Sequence, residues 1–210
     1  QNIGTMKLDG KIPFKHTEKL SIKRSDDFDE DCLAPQWQWN YQPRKDYFSL
    51  TERPGWLRLK AYRPLETNNL LKAGNTLTQR TFRKQNNDVT IKMDISNMQD
   101  GQKNGLCHFS SQHSAIGIVK EEDACYLEYR KNGNITKGIQ IHSEFVWFRT
   151  EWGMDGKSQY YYSLDGDNFL PFGEKYQLTW GNYRGDRIGI YCFNDKKETG
   201  SVDVDYCHYR

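Results

Sequence analysis

Val89-Thr90-Ile91-Lys92-Met93-Asp94-Ile95 sets apolar and polar residues in strict alternation. Successive side chains of an extended strand point to opposite faces, so Val89, Ile91, Met93 and Ile95 share one face and Thr90, Lys92 and Asp94 the other. The stretch therefore predicts a half-buried β-strand. The same period recurs in Leu57-Arg-Leu59-Lys-Ala61, Cys125-Tyr-Leu127-Glu-Tyr129, Val146-Trp-Phe148-Arg149, Ile188-Gly-Ile190-Tyr-Cys192 and Val202-Asp-Val204-Asp-Tyr206. Turn dipeptides punctuate these runs: Pro54-Gly55, Asp100-Gly101, Asn132-Gly133, Asp155-Gly156, Asp165-Gly166 and Arg184-Gly185. Several of them tolerate the positive φ of tight hairpins. No window of a dozen residues carries an apolar stripe at helical spacing behind a capping residue, so helices should be short and peripheral. The expectation is an all-β, two-sheet antiparallel β-sandwich, with roughly ten to 14 strands if strand plus turn takes ~8–12 residues.

The chain has 210 residues and no internal linker, which predicts one domain. Thirty Lys and Arg against 28 Asp and Glu leave a net charge of +2, too little to draw the chain to nucleic acid or an anionic membrane. Mean hydropathy is −0.93, a value that disordered chains share, but six Trp, 13 Tyr and ten Phe require a packed core. No apolar run approaches the roughly 20 residues of a membrane span, and the first 25 residues lack the apolar centre of a signal peptide. The chain reads as soluble and already processed or excised. Residues 1–24 are basic, carry Pro13 and alternate only briefly, which reads as a linker from something upstream, with the domain at 25–210.

Cys32, Cys107, Cys125, Cys192 and Cys207 are odd in number and lack CxxC spacing, so they read as free thiols buried as small hydrophobes. Hydrolytic chemistry is hard to find. A sandwich glycosidase of the laminarinase type carries its carboxylates as Glu-x-Asp-x-x-Glu on one strand face, and that pattern is absent. Glu128, Glu144 and Glu151 have no carboxylate two residues away and read as surface strand charges. No Gly-x-Ser-x-Gly occurs, and the five His residues are scattered. His108 and His113 lack an evident third metal ligand. Asp165-Gly-Asp167-Asn168 resembles a calcium loop, but Tyr176 stands where that loop needs Glu, so a hairpin turn explains it better.

Two groupings point toward ligands. Sugar rings present C–H faces to flat aromatics and hydroxyls to amides and charges, the composition of Gln36-Trp37-Gln38-Trp39-Asn40-Tyr41. Trp37 itself reads as core. Asp26-Asp27-Phe28-Asp29 opens the first strand and Asp203-Val-Asp205 lies on the last. If the terminal strands are neighbours, Asp27 and Asp203 could share a structural Ca²⁺ that relieves their repulsion; the alternative is that they point separately into solvent.

Taken in order, Ser25-Asp-Asp-Phe-Asp29, Gln36-Trp-Gln-Trp-Asn40, Ser49-Leu-Thr-Glu-Arg-Pro-Gly-Trp-Leu-Arg-Leu59, Asn75-Thr-Leu-Thr-Gln-Arg80, Tyr161-Tyr-Ser-Leu-Asp-Gly166, Arg187-Ile-Gly-Ile-Tyr191 and Asp203-Val-Asp-Tyr206 resemble a known module. It is the C-terminal concanavalin A-like jelly roll of glycoside hydrolase family 43, the β-xylosidase and α-arabinofuranosidase family. The resemblance runs from Ser25 to Arg210. It implies that the catalytic carboxylates belong to an upstream five-bladed propeller, which about 24 leading residues cannot contain. This chain is then catalytically silent alone. In β-xylosidases of the family a sandwich loop before the Ile-Gly strand lends an aromatic side chain to the propeller's pocket, and Tyr183 in Trp180–Arg187 is the nearest equivalent here. The resulting expectation is a non-catalytic accessory domain that packs on the propeller of an enzyme acting on xylan- or arabinan-type glycans outside the inner membrane, periplasmic or secreted; the odd cysteine count is also compatible with the cytoplasm. A free-standing carbohydrate-binding module is the runner-up, and a sandwich enzyme with an unfamiliar site the third reading. Trp39, Asn40, Gln79, Arg80 and Tyr183 are the candidate glycan contacts.

Overall fold

The computed structural model describes residues 10, 23–179, 181 and 185–210. Most of the expected linker therefore lies outside the described residues. Fifteen strands run in chain order: β1 (Gln38–Trp39), β2 (Phe48–Ser49), β3 (Leu57–Lys60), β4 (Thr76–Arg80), β5 (Asn87–Asp94), β6 (Gln102–Phe109), β7 (His113–Glu121), β8 (Ala124–Lys131), β9 (Asn134–Ile141), β10 (Phe145–Trp152), β11 (Lys157–Ser163), β12 (Leu170–Pro171), β13 (Tyr176–Gln177), β14 (Arg187–Asn194) and β15 (Ser201–Tyr209). They form two sheets whose pairings are antiparallel, ordered β1-β4-β14-β6-β7-β8-β9 and β12-β11-β10-β5-β15-β3-β2, with β13 against β11. Among the described residues helix is confined to two three-residue 3₁₀ turns. The two-sheet antiparallel sandwich is the expected architecture.

β5 sits inside the larger sheet between β10 and β15. Val89, Ile91 and Met93 are fully buried, as are Leu57, Leu59, Val146, Phe148 and Val204, and they meet Leu77, Leu106, Ile116, Leu127, Ile188 and Ile190 of the facing sheet. Such burial is the main stabilising term of a sandwich, at about 1.5–3 kcal/mol per large apolar side chain. The hairpin signal at Asn132-Gly133 holds, whereas Asp100-Gly101 turns the chain from one sheet to the other, between β5 and β6, and Arg184 lies outside the described residues. Asn132 and Gly133 take φ of 49° and 90° in a two-residue loop between the paired Lys131 and Asn134, the geometry that matches strand twist.

β14 departs from a half-buried strand, because all eight of its residues are buried. The segment 61–75 lies as a strap across the outer face of the seven-stranded sheet. Leu70 and Ala73 of the strap pack on Cys107, Phe109, Ala115, Tyr191 and Phe193, making a second small core. A Cβ at Gly117 would collide with the Tyr191 hydroxyl and the Asn104 carbonyl, so β7 needs glycine where that ring crosses it.

The chain ends do meet. Asp26 and Cys207 exchange two backbone hydrogen bonds, at 2.9 and 2.7 Å. The buried carboxylate of Asp26 accepts from Trp37 Nε1 at 2.7 Å, which places Trp37 in the core as read. The carboxylates expected to share a cation do not converge. Asp27 is exposed and lies 2.7 Å from His208 Nε2, whereas Asp203 stands five residues earlier on β15, about 17 Å along an extended strand. Asp203 is directly opposite both Arg58 and Asp94. It accepts from Arg58 Nε at 2.7 Å, Arg58 Nη2 at 2.8 Å and Arg53 Nη1 at 2.9 Å, while Arg53 also donates to Asp94 at 2.6 Å. Among the described residues no group of three or more His, Cys, Asp or Glu is placed to hold a metal. Asp27 and Asp203 do not fit one shared Ca²⁺.

Asp203 is 1% exposed, and its loss removes the two-pronged partner of Arg58, which keeps only Glu52 at 3.3 Å, and one of the two carboxylates of Arg53. Asp203→Ala should lower the unfolding free energy by about 3 kcal/mol with an unchanged denaturant slope. Urea unfolding of the two proteins checks this; a difference under about 0.5 kcal/mol would make the cluster an ordinary solvated ion pair.

Candidate functional site

The strap and the loop before β14 together bound the candidate site. The amide of Asn40, just past β1, donates to the carbonyls of Leu71 and Ala73, both at 3.0 Å, and its backbone N–H donates to Thr76 O at 2.9 Å. Asn40 is thus 8% exposed and anchors the strap. Beside it opens a cleft of about 430 Å³ that also touches Tyr41, Phe109, Ser110, Ser111 and the loop glycines Gly181 and Gly185. Arg187, at the start of β14, borders this cleft and a second one of about 380 Å³ formed with Lys23, Arg24, Gln36, Gln79 and Arg80.

The expected glycan contacts are divided by strand alternation. Trp39 turns toward the core, half-buried, with its ring 4.8 Å from that of Phe48. Gln79 also points inward: its amide reaches the carbonyl of Arg24 at 3.0 Å and lies 3.9 Å from Cys207 Sγ. Arg80, the next residue, is exposed on the outer side. Asn40 and Arg80 border different clefts, so the four residues do not converge on one concave face. Tyr183 lies outside the described residues. The upstream chain enters at Arg24, whose guanidinium stacks 4.5 Å above Phe82 and 5.5 Å above Tyr209.

Other candidates resolve on the same alternation. His108 faces the core, with Nε2 2.8 Å from Thr150 Oγ1 and rings of Trp152 and Tyr160 at 5.3 and 5.5 Å. His113 belongs to the outer face, so the two cannot share a metal. Burial pushes the His108 imidazole down to about 3; burial and the Arg130 charge push His113 down to about 4. Glu128 is not a surface charge. It is 5% exposed and ion-paired to Arg130, itself 2% exposed, on the outer face of β8. Asp165 makes the expected turn, accepting from the N–H groups of Asp167 and Asn168 at 2.9 and 2.8 Å. Of the five thiols, Cys107, Cys192 and Cys207 are buried, Cys125 is half-buried and Cys32 is exposed, and all are free.

Two stacked antiparallel sheets of seven and eight strands, with the first and last described segments tied together, define a concanavalin-like sandwich module. The chain belongs to a particular branch of that class, because residues 25–210 match the β-xylosidase C-terminal concanavalin A-like domain of glycoside hydrolase family 43. It is 35% identical over 207 residues to a β-xylosidase of Formosa agariphila, the match covering 89% of this chain and 35% of that protein. A putative β-xylosidase of Xylanibacter ruminicola is 30% identical over 181 residues, with 85% and 32% covered. Among solved structures, a bifunctional GH43-CE protein of Bacteroides eggerthii superposes with a TM-score of 0.80 at 29% identity, covering 89% of this chain and 25% of that one. The chain spans about a third of the length of these curated relatives.

The histidines give a pH dependence of definite sign. Both are neutral when folded, whereas the unfolded chain binds protons below its ordinary imidazole value of about 6.5. Stability is therefore lost as pH falls from about 6.5 toward 4, each histidine contributing about 2–3 kcal/mol by pH 4.5. Urea unfolding at pH 7 and 4.5 should show this drop, and His108→Phe should reduce it. An equal drop in the variant would assign the loss to other groups.

Proposed function

We propose that this chain is a non-catalytic accessory domain of a family 43 glycoside hydrolase acting on xylan- or arabinan-type glycans, seated on an upstream catalytic propeller and completing one wall of its pocket. One observation carries this reading: Arg187 borders both the cleft where the upstream chain enters at Lys23 and Arg24 and the cleft edged by Gly181 and Gly185. Lys23, through which an upstream domain would attach, thus shares Arg187 as a common neighbour with Gly181 and Gly185, the residues that flank Tyr183 in sequence, which supports this reading. The carboxylates also support a silent role. Glu128, Asp203 and Asp26 are each committed to Arg130, to Arg53 and Arg58, and to Trp37, so none is free to pass a proton to substrate. A polymeric substrate places such an enzyme outside the inner membrane.

The test uses the full-length protein and the present chain together. The 210-residue chain alone should not hydrolyse aryl xylosides or arabinofuranosides. In the full-length enzyme Tyr183→Ala should lower kcat/KM on short xylo-oligosaccharides about tenfold, equivalent to about 1.4 kcal/mol of transition-state stabilisation, with unchanged melting. Turnover by the chain itself, abolished by replacing one of its own carboxylates, would overturn the accessory reading.

A further inference from the structure

The strap leaves a third cleft along its free edge, of about 500 Å³, between strap residues 67–71 and the turns that follow β6 and β8. Its volume is within the ~300–1,000 Å³ of small-molecule sites. Among the described residues its lining is wholly uncharged, including Asn69, Ser111, Gln112, His113 and Asn132. That is unusual for a chain in which 28% of residues are charged. The neighbouring clefts are lined instead by Lys, Glu and Asp or by Arg. An ionic ligand would find no counter-charge on these walls, whereas a neutral polyhydroxyl compound would find amide and hydroxyl partners.

His113 supplies an independent pointer. The residue is 7% exposed and borders the cleft, and its backbone N–H is taken by Asn132 Oδ1 at 3.0 Å. Its ring Nδ1 is buried with no hydrogen-bond partner. A buried polar atom left unpaired costs about 1–3 kcal/mol, which a ligand hydroxyl recovers once the ring turns that nitrogen toward the cleft it borders. The neutral ring offers one donor and one acceptor, the combination that a sugar hydroxyl satisfies.

We propose that this cleft binds one neutral sugar unit of an oligosaccharide through His113, Gln112, Asn132 and Asn69. The inference rests on the glycan-acting role proposed above, and adds to it a binding site carried by the sandwich itself. Leu71 and Ser111 also line the cleft that holds Tyr41 and Phe109. A chain of several sugars can therefore run from His113 around the strap to Tyr41, whose ring is 41% exposed and offers a flat platform to a C–H face. Its far end lies beside Gly181 and Gly185, where the Tyr183 loop begins and ends.

Titration calorimetry of the 210-residue chain with xylotetraose and with arabinotetraose decides the matter, and the better of the two identifies the source of the sugar. Binding should appear at millimolar ligand or below, and it should move the imidazole nitrogen resonances of His113. Gln112→Ala and His113→Phe should each weaken it by about fivefold or more at unchanged melting temperature, one lost hydrogen bond being worth about 1 kcal/mol. Gln112 is exposed, so its variant remains informative if His113→Phe fails to fold. Absence of heat with both sugars, unmoved His113 resonances, or affinity indifferent to Gln112→Ala would overturn the site. None of these residues enters the Tyr183 test. Loss of this site with the Tyr183 effect intact leaves the accessory role standing, and the reverse outcome removes that role alone.

Discussion

The side-chain amide of Asn40, donating to the Leu71 and Ala73 carbonyls of the strap, fixes how the smaller sheet meets its surroundings. An antiparallel sandwich normally buries one face of each sheet and leaves the other wet. Here the strap covers the middle of the second face, so Cys107, Ala115, Tyr191 and Phe193 become a second core. Once covered, polar groups on that face need partners inside the protein. Glu128 and Arg130 meet part of that need with each other, and Asn68 of the strap accepts from Arg130 Nη1 at 2.7 Å, while the buried Arg130 Nη2 has no hydrogen-bond partner. The clefts follow from the same constraint. A strap laid over a sheet leaves gaps along its margins, and three clefts among the described residues touch the strap.

The larger sheet was readable because its outer face stays partly wet. Period two survives in β3, β5, β10 and β15, where Leu57, Val89, Val146 and Val202 alternate with Arg58, Thr90, Trp147 and Asp203. In β14 the alternation of Ile188, Ile190 and Cys192 identified the strand but not its second buried face. Tyr191 and Phe193 carried that signal, an apolar residue at every position, which only a non-local cover explains. The strap could not be foreseen from its own residues. Leu70-Leu71-Lys72 is too short for a helical stripe, and its contacts lie more than 30 residues away in β6, β7 and β14.

The candidate site was legible in composition and not in geometry. Gln36 to Tyr41 has the residues of a sugar surface, and the structure uses most of them otherwise: Trp37 as core, Trp39 against Phe48, Asn40 as the strap's anchor. Gln79 and Arg80 are adjacent, so a strand must send them to opposite sides. His113 was legible in sequence only as a metal candidate without a third ligand. Its neighbours in sequence, Gln112 and Ser114, are ordinary turn and strand residues. Its place on a cleft shared with the strap, with Nδ1 buried and unpartnered, needs the tertiary fold.

The arginines show why carboxylates at both chain ends need not imply a metal. Asp94 and Asp203 lie directly opposite each other in a ladder, where like charges repel. Arg53 bridges them, and Arg58 adds a two-pronged grip on Asp203, so two guanidinium groups balance two carboxylates. Arg53 also lies 3.8 Å over the ring of Trp56, which holds it in place from a loop. A divalent cation would have to displace these forks and draw in oxygens from elsewhere, at a site whose neutralisation is complete. The two chain ends are instead held by the paired backbone groups of Asp26 and Cys207. Backbone pairing closes the sandwich where the upstream chain enters, and arginines satisfy the acids about 17 Å along the same strand.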